Sequence, residues 1–257
     1  MRILLSNDDG ILAPGLAALK AAVADLGEVT VVAPDTPQSA AGHAITIRTP
    51  LTVRPVHVSG EAERFGWSVD GRPADCVRLA VHKLLDEPPD LVLSGINAGA
   101  NVGINVFYSG TVAAAAEAAI LNLPAVAFSA ELTTGEVDFE RCAALCRWVL
   151  DRLLRVGLRP RDLVNVNLPA GGMVPPKGVR MVHQSAAEVR EDFQLTGEEG
   201  KRRTFAIGSK WEFVGHVHDD DVSCLADGYI AVTPLHVDMT NHRRLEELTG
   251  IEWGPPP

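Results

Sequence analysis

The sequence predicts an α/β protein, in which a mostly parallel sheet is flanked by helices and followed by a β-rich extension near the C-terminus. Short apolar runs alternate with helical stretches over the first 170 residues, and this pattern fades from about Gly171. A chain of 257 residues can bury roughly three quarters of its unfolded surface. That length allows one large domain or a core with an appendage.

The chain opens as a βαβ unit. Residues 2–6 form an apolar run typical of a buried strand, and residues 14–27 predict a helix that starts after a proline and stops at Gly27. Residues 28–34 predict the second strand. The alternation then continues with predicted helices at 74–85, 111–122 and 139–155 and predicted strands at 90–95, 124–129 and 162–169.

The character of the chain changes in its last third. A polar block at 188–203 lacks helical periodicity, and a buried-strand pattern returns at 228–235. We therefore expect three parts: a core at 1–170, an extension or oligomerisation arm at 171–225, and a return to the core with a C-terminal segment at 226–257. The final "GPPP" is typical of a frayed tail.

Composition excludes some classes of partner. A net charge of −10 disfavours a surface for a nucleic-acid polymer, because such surfaces use lysine and arginine to neutralise phosphates. No apolar run approaches the roughly 20 residues of a membrane helix, so we expect no membrane partner. The strand-like start "MRILL" predicts no signal peptide and a cytoplasmic location. The four cysteines contain no CxxC pair and are expected to be buried reduced thiols.

Polar oxygens follow several of the predicted strands. Asp8 and Asp9 follow the first strand, Ser39 lies in the loop after the second, and Asn97 follows the strand at 90–95. Ligands of parallel sheets bind beyond the carboxyl ends of the strands, and these oxygens are preferred by Mg²⁺ or Mn²⁺. The alternative is that "NDDG" is simply a turn, since Asn, Asp and Gly all favour turns. Gly10 supplies the break that would let adjacent aspartates share one site.

The stretch "YSGT" directly precedes a predicted helix. Its Ser109, Gly110 and Thr111 predict a phosphate site, because free N–H groups and the helix dipole favour an anion there. The alternative is an ordinary serine or threonine helix cap. Neither the P-loop lysine motif nor a GxGxxG after the first strand is present.

Two further candidates are weaker. The stretch "HVHDDD" at 216–221 resembles a metal cluster, but consecutive aspartates more often form a solvated loop. His43 shares the loop of Ser39 and could contact substrate, or it could be structural. The GxSxG elbow of serine hydrolases is absent.

Taken together, the motifs resemble the SurE family of survival proteins, which are metal-dependent 5'(3')-nucleotidases. The resemblance runs from residue 2 to about 241, with the motifs in the expected order. It is carried by "LLSNDDGILAPG", "VVAPDTPQSAAGHAIT", "GRPADCVRLA", "PDLVLSGINAGANVG", "YSGTVAAAAEAAILNLPAVAFS", "VNVNLP" and "DGYIAVTPLHVDMT".

The resemblance implies a Rossmann-like core, and an arm exchanged between the subunits of a homodimer, with a tetramer in some members. It also implies one divalent cation per subunit, Mg²⁺ or Mn²⁺, held by Asp8, Asp9, Ser39 and Asn97. The implied activity is a metal-dependent phosphomonoesterase that hydrolyses nucleoside monophosphates and, in some members, short polyphosphate. Asn97 and the Ser109–Thr111 loop match the phosphate-binding positions.

This chain departs from the family pattern at three positions. Ala40 and Ala113 stand where members often have glycine, and Arg72 stands where they often have threonine. These differences bear on substrate preference more than on reaction class. The arm at 171–215 matches least well.

The expected reaction is phosphomonoester hydrolysis with Asp8 and Asp9 as catalytic residues. A metal-bound water oriented by one of them is the preferred nucleophile, and direct attack by an aspartate stays open.

The sequence also leaves two alternative functions open. One is a receiver-like or dehalogenase-like phosphotransfer domain, although a DxD pair and a clear lysine partner are missing. The other is a non-catalytic nucleotide-binding or assembly module, which would release no phosphate from a nucleotide.

Overall fold

The computed structural model describes residues 1–58, 65–132, 137–215 and 218–254, and the side chains of all of these except 171 and 209–211. The terminal prolines, expected as a frayed tail, and His216 of the acidic stretch lie outside the described residues.

Strands and helices alternate along the first two thirds of the chain. The strands are β1 (Arg2–Ser6), β2 (Glu28–Pro34), β3 (Val53–Val56), β4 (Gly66–Val69), β5 (Leu91–Ala98), β6 (Ala125–Ala130), β7 (Leu163–Leu168), β8 (Val179–Met181), β9 (Glu188–Glu199), β10 (Arg202–Val214) and β11 (Ile230–Leu235). The helices are α1 (Pro14–Val23), α2 (Pro73–Leu79), α3 (Asn105–Tyr108), α4 (Gly110–Ile120), α5 (Phe139–Val156), α6 (Asp221–Ala226) and α7 (His242–Leu248).

The main sheet is mostly parallel, as the sequence predicts. Within the described residues nine strands pair in the order β3-β4-β2-β1-β5-β6-β7-β11-β8. The central strands β2, β1, β5, β6 and β7 run parallel to one another, so their carboxyl ends meet at one edge. The pairs β3/β4 and β7/β11 are antiparallel.

Two apolar layers cover the sheet. Successive residues of β1 point to opposite faces: Ile3 and Leu5 pack with α1 and α5, whereas Leu4 packs with α2 and α4. All three leucine and isoleucine side chains are almost completely buried. A strand buried on both faces explains why the sequence shows a continuous apolar run at 2–6 rather than alternation.

Most predicted elements occur close to their expected bounds. Strands β1 and β2 have the predicted bounds, and β5 extends beyond position 95 to Ala98. The helix expected at 74–85 is an α-helix only over Pro73–Leu79 and continues as a π-helical turn over Ala80–Leu84. Strands β3 and β4 were not predicted, because they are only four residues long.

The polar block at 188–203 lies in a two-stranded antiparallel hairpin, β9–β10. Phe193 pairs with Ile207 and Leu195 pairs with Phe205, so these four apolar side chains lie on one face of the hairpin. All four are more than half exposed. The β-rich extension is confirmed, whereas the three-part division at 170 and 225 stays a prediction. Within the segment expected as the arm, β8 pairs with β11 of the main sheet.

Two expectations from composition can be compared with the structure. The four cysteines are free and buried, as expected. Burial raises the pKa of the Cys142 thiol to about 12, so this thiol stays protonated at neutral pH. None of the helices in the described part of the chain is long and apolar enough to cross a membrane.

Candidate active site

The stretch "SNDDG" ends β1 in a turn. Asn7 is completely buried, and its Nδ2 donates to the Gly10 carbonyl oxygen at 2.9 Å. Gly10 has φ +99°, a conformation that L side chains rarely adopt, so glycine is required here. The turn and the ligand interpretations are therefore compatible, because the turn places Asp8 and Asp9 at the edge of the sheet.

Asp8 contacts the N-terminus of α4. The Thr111 hydroxyl donates to Asp8 Oδ1. A Cβ on Gly110 would lie 2.7 Å from Asp8 Cβ and 2.9 Å from Asp8 Oδ2, so no larger residue fits between the helix and the carboxylate. Burial raises the pKa of Asp8, and the bonds from Thr111 and Gly110 oppose that rise. The helix terminus thus stabilises the ionised form of a buried acid.

Asp9 lies beside Asp8 and is only partly buried. Its Oδ2 accepts a long hydrogen bond of 3.4 Å from the Ala98 backbone N–H. Burial raises the pKa of Asp9, and the neighbouring Asp8 charge raises it further. A positive charge nearby would favour the ionised forms of these two adjacent carboxylates.

Asn97 comes from the end of β5. The pairing of β5 with β6 shifts register between Ser94 and Asn97, which bends the strand end at the edge where Asp8 and Asp9 lie. Asn97 Nδ2 donates to the Gly99 carbonyl oxygen at 2.7 Å. With the amide nitrogen used in this way, the amide oxygen is the atom suited to bind a cation.

The loop after β2 brings Ser39 to the same place. The Gln38 backbone N–H donates to the Asp8 carbonyl oxygen at 2.7 Å, which fixes the loop against the turn after β1. Ala40 has φ +55°, in the left-handed region. Glycine would adopt this conformation without cost, whereas alanine costs roughly 1–2 kcal/mol there. The departure from glycine at position 40 therefore stiffens and strains the loop next to Ser39.

These side chains line one cavity of about 550 Å³. Asp8, Asp9, Ser39, Asn97 and Ser109 all contribute to its wall, as the sequence predicts. Among the described residues, no lysine, arginine or histidine lines it. The sequence analysis did not identify six further polar or large lining residues: Asn101, Asn105, Tyr108, Glu191, Phe193 and Ile207.

A buried asparagine network holds the loop after β5. The Asn101 backbone N–H donates to Asn167 Oδ1 at 2.8 Å, and the Asn101 carbonyl oxygen accepts from Asn165 Nδ2 at 2.8 Å. Asn101 Nδ2 also donates to the Ser129 hydroxyl at 2.8 Å. The stretch "VNVNLP" could have indicated this network from the sequence. Two asparagines two residues apart in a buried strand lie on the same face and need hydrogen-bond partners there.

The predicted phosphate loop is arranged differently from the expectation. Ser109 Oγ accepts from the Val112 backbone N–H at 3.0 Å, so Ser109 is a helix cap that also lines the cavity. Thr111 is completely buried, and its hydroxyl is used by Asp8. Within the described residues, only Ser109 of the three lines the cavity with its neighbours Asn105 and Tyr108.

His43 does not line the carboxylate cavity. Its Nε2 lies 2.7 Å from Oε2 of the buried Glu117, and Arg78 Nη1 lies 3.6 Å from Glu117 Oε1. His43 instead lines a second cavity of about 490 Å³, which shares Ser109 with the first. The interaction with Glu117 on α4 favours the structural interpretation of this histidine.

The other two positions at which this chain departs from the family pattern are Arg72 and Ala113. Arg72 donates from Nη1 to Gln38 Oε1, so it contacts the residue that precedes Ser39. Ala113 is buried on α4. Compared with the threonine that family members often have, Arg72 therefore adds a positive charge beside the Ser39 loop.

The acidic stretch at 219–221 is not a solvated loop, and the expectation for Asp220 and Asp221 was wrong. Asp220 is fully buried and accepts from the Ser223 backbone N–H at 2.8 Å, which starts α6. Asp221 is also fully buried and accepts from the backbone N–H groups of Gly103 and Ser185 at 2.9 and 2.8 Å. Polar sequence runs suggest solvent, but a carboxylate that satisfies two backbone donors can be buried.

No metal cluster is formed by this stretch in the described part of the chain, where no group of three or more His, Cys, Asp or Glu could hold a metal ion. Any cation at the first cavity would therefore use Asp8 and Asp9 together with neutral oxygens.

The sheet, the paired carboxylates at the end of β1 and the small-residue start of α4 define a Rossmann-like α/β protein with an acidic site at the carboxyl edge. The family model described as "Survival protein SurE" matches residues 3–191. The chain belongs to this family.

Relatives support the family assignment over the whole chain. The protein named 5'-nucleotidase SurE 1 of Thermus thermophilus is 44% identical over 263 residues, covering 100% of both chains. The 5'-nucleotidase SurE of Desulforudis audaxviator is 42% identical over 265 residues, covering 98% of this chain and 99% of the relative. The crystal structure of the SurE protein from Aquifex aeolicus superposes with a TM-score of 0.80 at 36% identity, covering 97% of this chain and 98% of that one.

Asp221→Asn should lower the free energy of unfolding by about 1–3 kcal/mol, because an amide has one acceptor oxygen and leaves one buried N–H donor unpaired. Asp219→Asn is the matched control: Asp219 is exposed with φ +75°, and asparagine tolerates that conformation. Urea unfolding followed by circular dichroism measures both. Equal stability of the two variants would contradict the role of Asp221.

Proposed function

We propose that this protein is a divalent-metal-dependent nucleotidase that hydrolyses nucleoside monophosphates to nucleoside and phosphate. The observation that carries the proposal is the meeting of Asp8, Asp9, Ser39 and Asn97 in one cavity. Relatives named 5'-nucleotidase SurE, at 42% and 44% identity over the whole chain, support it. Release of phosphate from short polyphosphate is proposed as a secondary activity of the same site.

The donor set fits a hard divalent cation. Asp8 and Asp9 supply carboxylate oxygens whose pKa values are both raised, and no described basic side chain in the cavity wall offsets their charge. Asn97 and Ser39 add an amide and a hydroxyl oxygen, which suit Mg²⁺ or Mn²⁺. When bound, such an ion supplies Lewis-acid polarisation of a phosphoryl oxygen and neutralises its charge.

The chain's own groups divide the remaining work. Asp8 is held in place by its hydrogen bond from Thr111 at the start of α4, so its role is that of a fixed ligand for the cation. Asp9 is the more accessible carboxylate, and its hydrogen bond from the Ala98 backbone N–H is long, so it is the better placed to accept a proton from an attacking water. The Ser109 hydroxyl, which accepts from Val112, retains a hydrogen to donate to a phosphate oxygen.

Wild-type protein should release inorganic phosphate from AMP when Mn²⁺ or Mg²⁺ is added, and Asp9→Asn should abolish this release while the fold is retained. Asparagine keeps the size of the side chain but cannot accept the proton or supply the charge. Phosphate release from AMP, GMP and tripolyphosphate, with and without each metal, measures the activity, and circular dichroism checks the fold.

Asp219→Asn is a suitable control, since it removes one aspartate charge at an exposed position that does not line the cavity. Metal-dependent release by Asp9→Asn at the wild-type rate would overturn the site assignment. Absence of release by the wild type with every metal would favour a nucleotide-binding module.

We also propose that the protein is a homodimer in which the hairpin β9–β10 is exchanged between subunits. The distal face of the hairpin supports this, because Leu195 and Phe205 are 51% and 54% exposed on one apolar surface. The C-terminal segment adds further exposed apolar side chains, such as Met239, Leu248 and Trp253. A cluster of exposed apolar side chains such as the one on the hairpin face usually marks an interface between proteins.

Sedimentation velocity should give twice the chain mass of 27.4 kDa, or four times if two dimers associate. The double variant with Leu195→Glu and Phe205→Glu should shift the protein toward the monomer, because charges are costly to bury at an interface. A wild-type protein that sediments only as a monomer would contradict the proposed exchange.

A further inference from the structure

The cavity at Asp8 and Asp9 is far larger than a phosphate group needs. Its volume of about 550 Å³ falls in the range of pockets that enclose drug-sized ligands. The oxygen donors Asp8, Asp9, Ser39, Asn97 and Ser109 account for its polar end. The rest of its wall includes large apolar side chains that no step of hydrolysis uses.

Those apolar side chains come from two separate elements. Tyr108 is the last residue of α3 and directly precedes Ser109, the cap of α4. Its position is fixed by the backbone, since the Tyr108 carbonyl oxygen accepts from the Gly42 N–H at 2.9 Å. An aromatic ring therefore lies next to the phosphate end of the cavity.

Phe193 and Ile207 come from the hairpin. They are cross-strand partners on β9 and β10, so their side chains lie on the same face, and both line the cavity. They are 60% and 64% exposed, which leaves apolar surface for a ligand to cover. Leu195 and Phe205 continue this face farther along the hairpin but do not line the cavity.

We propose that Tyr108, Phe193 and Ile207 form the subsite that holds the nucleobase of a nucleoside monophosphate. This inference rests on the proposed nucleotidase function. Aromatic rings stack on any base, because every base presents a π-face, so this subsite favours substrates that carry a base without selecting strongly among bases. Glu191, which also lines the cavity, sits two residues before Phe193 on the same face and can accept hydrogen bonds from base amino groups.

The subsite also accounts for the position of the hairpin. The proximal part of its apolar face lies over the cavity of the same chain, and the distal part is the surface assigned to the subunit interface. In the exchanged dimer, each hairpin would supply this proximal face to the cavity of the other subunit. A substrate that lacks a base would use only the polar end of the cavity, whereas a nucleotide would contact both ends.

The test compares AMP with ribose 5-phosphate, which has the same phosphate and sugar but no base. Phe193→Ala should lower the ratio of kcat/KM for AMP to kcat/KM for ribose 5-phosphate by about tenfold, mainly through a higher KM for AMP, as expected for loss of one stacking contact. Phe193→Tyr keeps the ring and should retain the wild-type ratio. Tyr108→Leu, made separately, should lower the ratio in the same direction.

Gln194→Ala is the matched control, because Gln194 neighbours Phe193 on the opposite face of β9 and does not line the cavity. Its ratio should equal that of the wild type. Sedimentation velocity on each variant checks that the oligomeric state is the same.

An unchanged ratio in Phe193→Ala would overturn the nucleobase subsite while leaving the nucleotidase proposal intact. A parallel fall for both substrates would likewise overturn it, since that result indicates a role in assembly. If the wild type released phosphate from neither substrate, the proposed function would fail and the subsite with it.

Discussion

The start of α4 touches the Asp8 carboxylate, and the arrangement of the site depends on this contact. Gly110 allows it, because a Cβ there would lie 2.7 Å from Asp8 Cβ. Thr111 then supplies a hydroxyl donor to Asp8 Oδ1, and Ser109 caps the helix on the cavity side. The helix N-terminus therefore stabilises the ionised Asp8 carboxylate and is not open to solvent. In this way it favours negative charge in the cavity that Asp8 lines.

Asp8 in turn organises its neighbours. Its carbonyl oxygen accepts from Gln38, which brings the Ser39 loop to the same edge. Burial raises the pKa of Asp9, and the charge of Asp8 raises it further. A helix terminus can offset only part of the charge of two carboxylates. The proposed divalent cation would supply the rest, with the neutral oxygens of Asn97 and Ser39 completing its contacts to the protein.

The residues at strand ends were predictable from the sequence, because carboxyl ends of parallel strands meet at one edge whatever the details of packing. Asp8, Asp9, Ser39 and Asn97 were placed at this edge in this way, whereas Ser109 was singled out by its position before a helix. Thr111 was assigned to phosphate because it lies at the start of a helix, where free N–H groups favour an anion. The sequence does not show that its hydroxyl points inward to Asp8. Burial of Asp221 was missed for a similar reason, since its two donors, Gly103 and Ser185, are distant in sequence. Phe193 and Ile207 could not be found at all, because the register of a polar hairpin has no signal in local periodicity.

The most direct test of the account is a calorimetric titration of Mn²⁺ into the wild type, Thr111→Val and Thr111→Ser. Valine has the shape of threonine but lacks the donor to Asp8, so the dissociation constant for Mn²⁺ should rise about tenfold, in line with the loss of a hydrogen bond to a charged group. Serine restores the hydroxyl and should bind Mn²⁺ close to the wild-type affinity. Equal affinity of wild type and Thr111→Val would contradict the claim that the start of α4 stabilises the ionised Asp8 for metal binding.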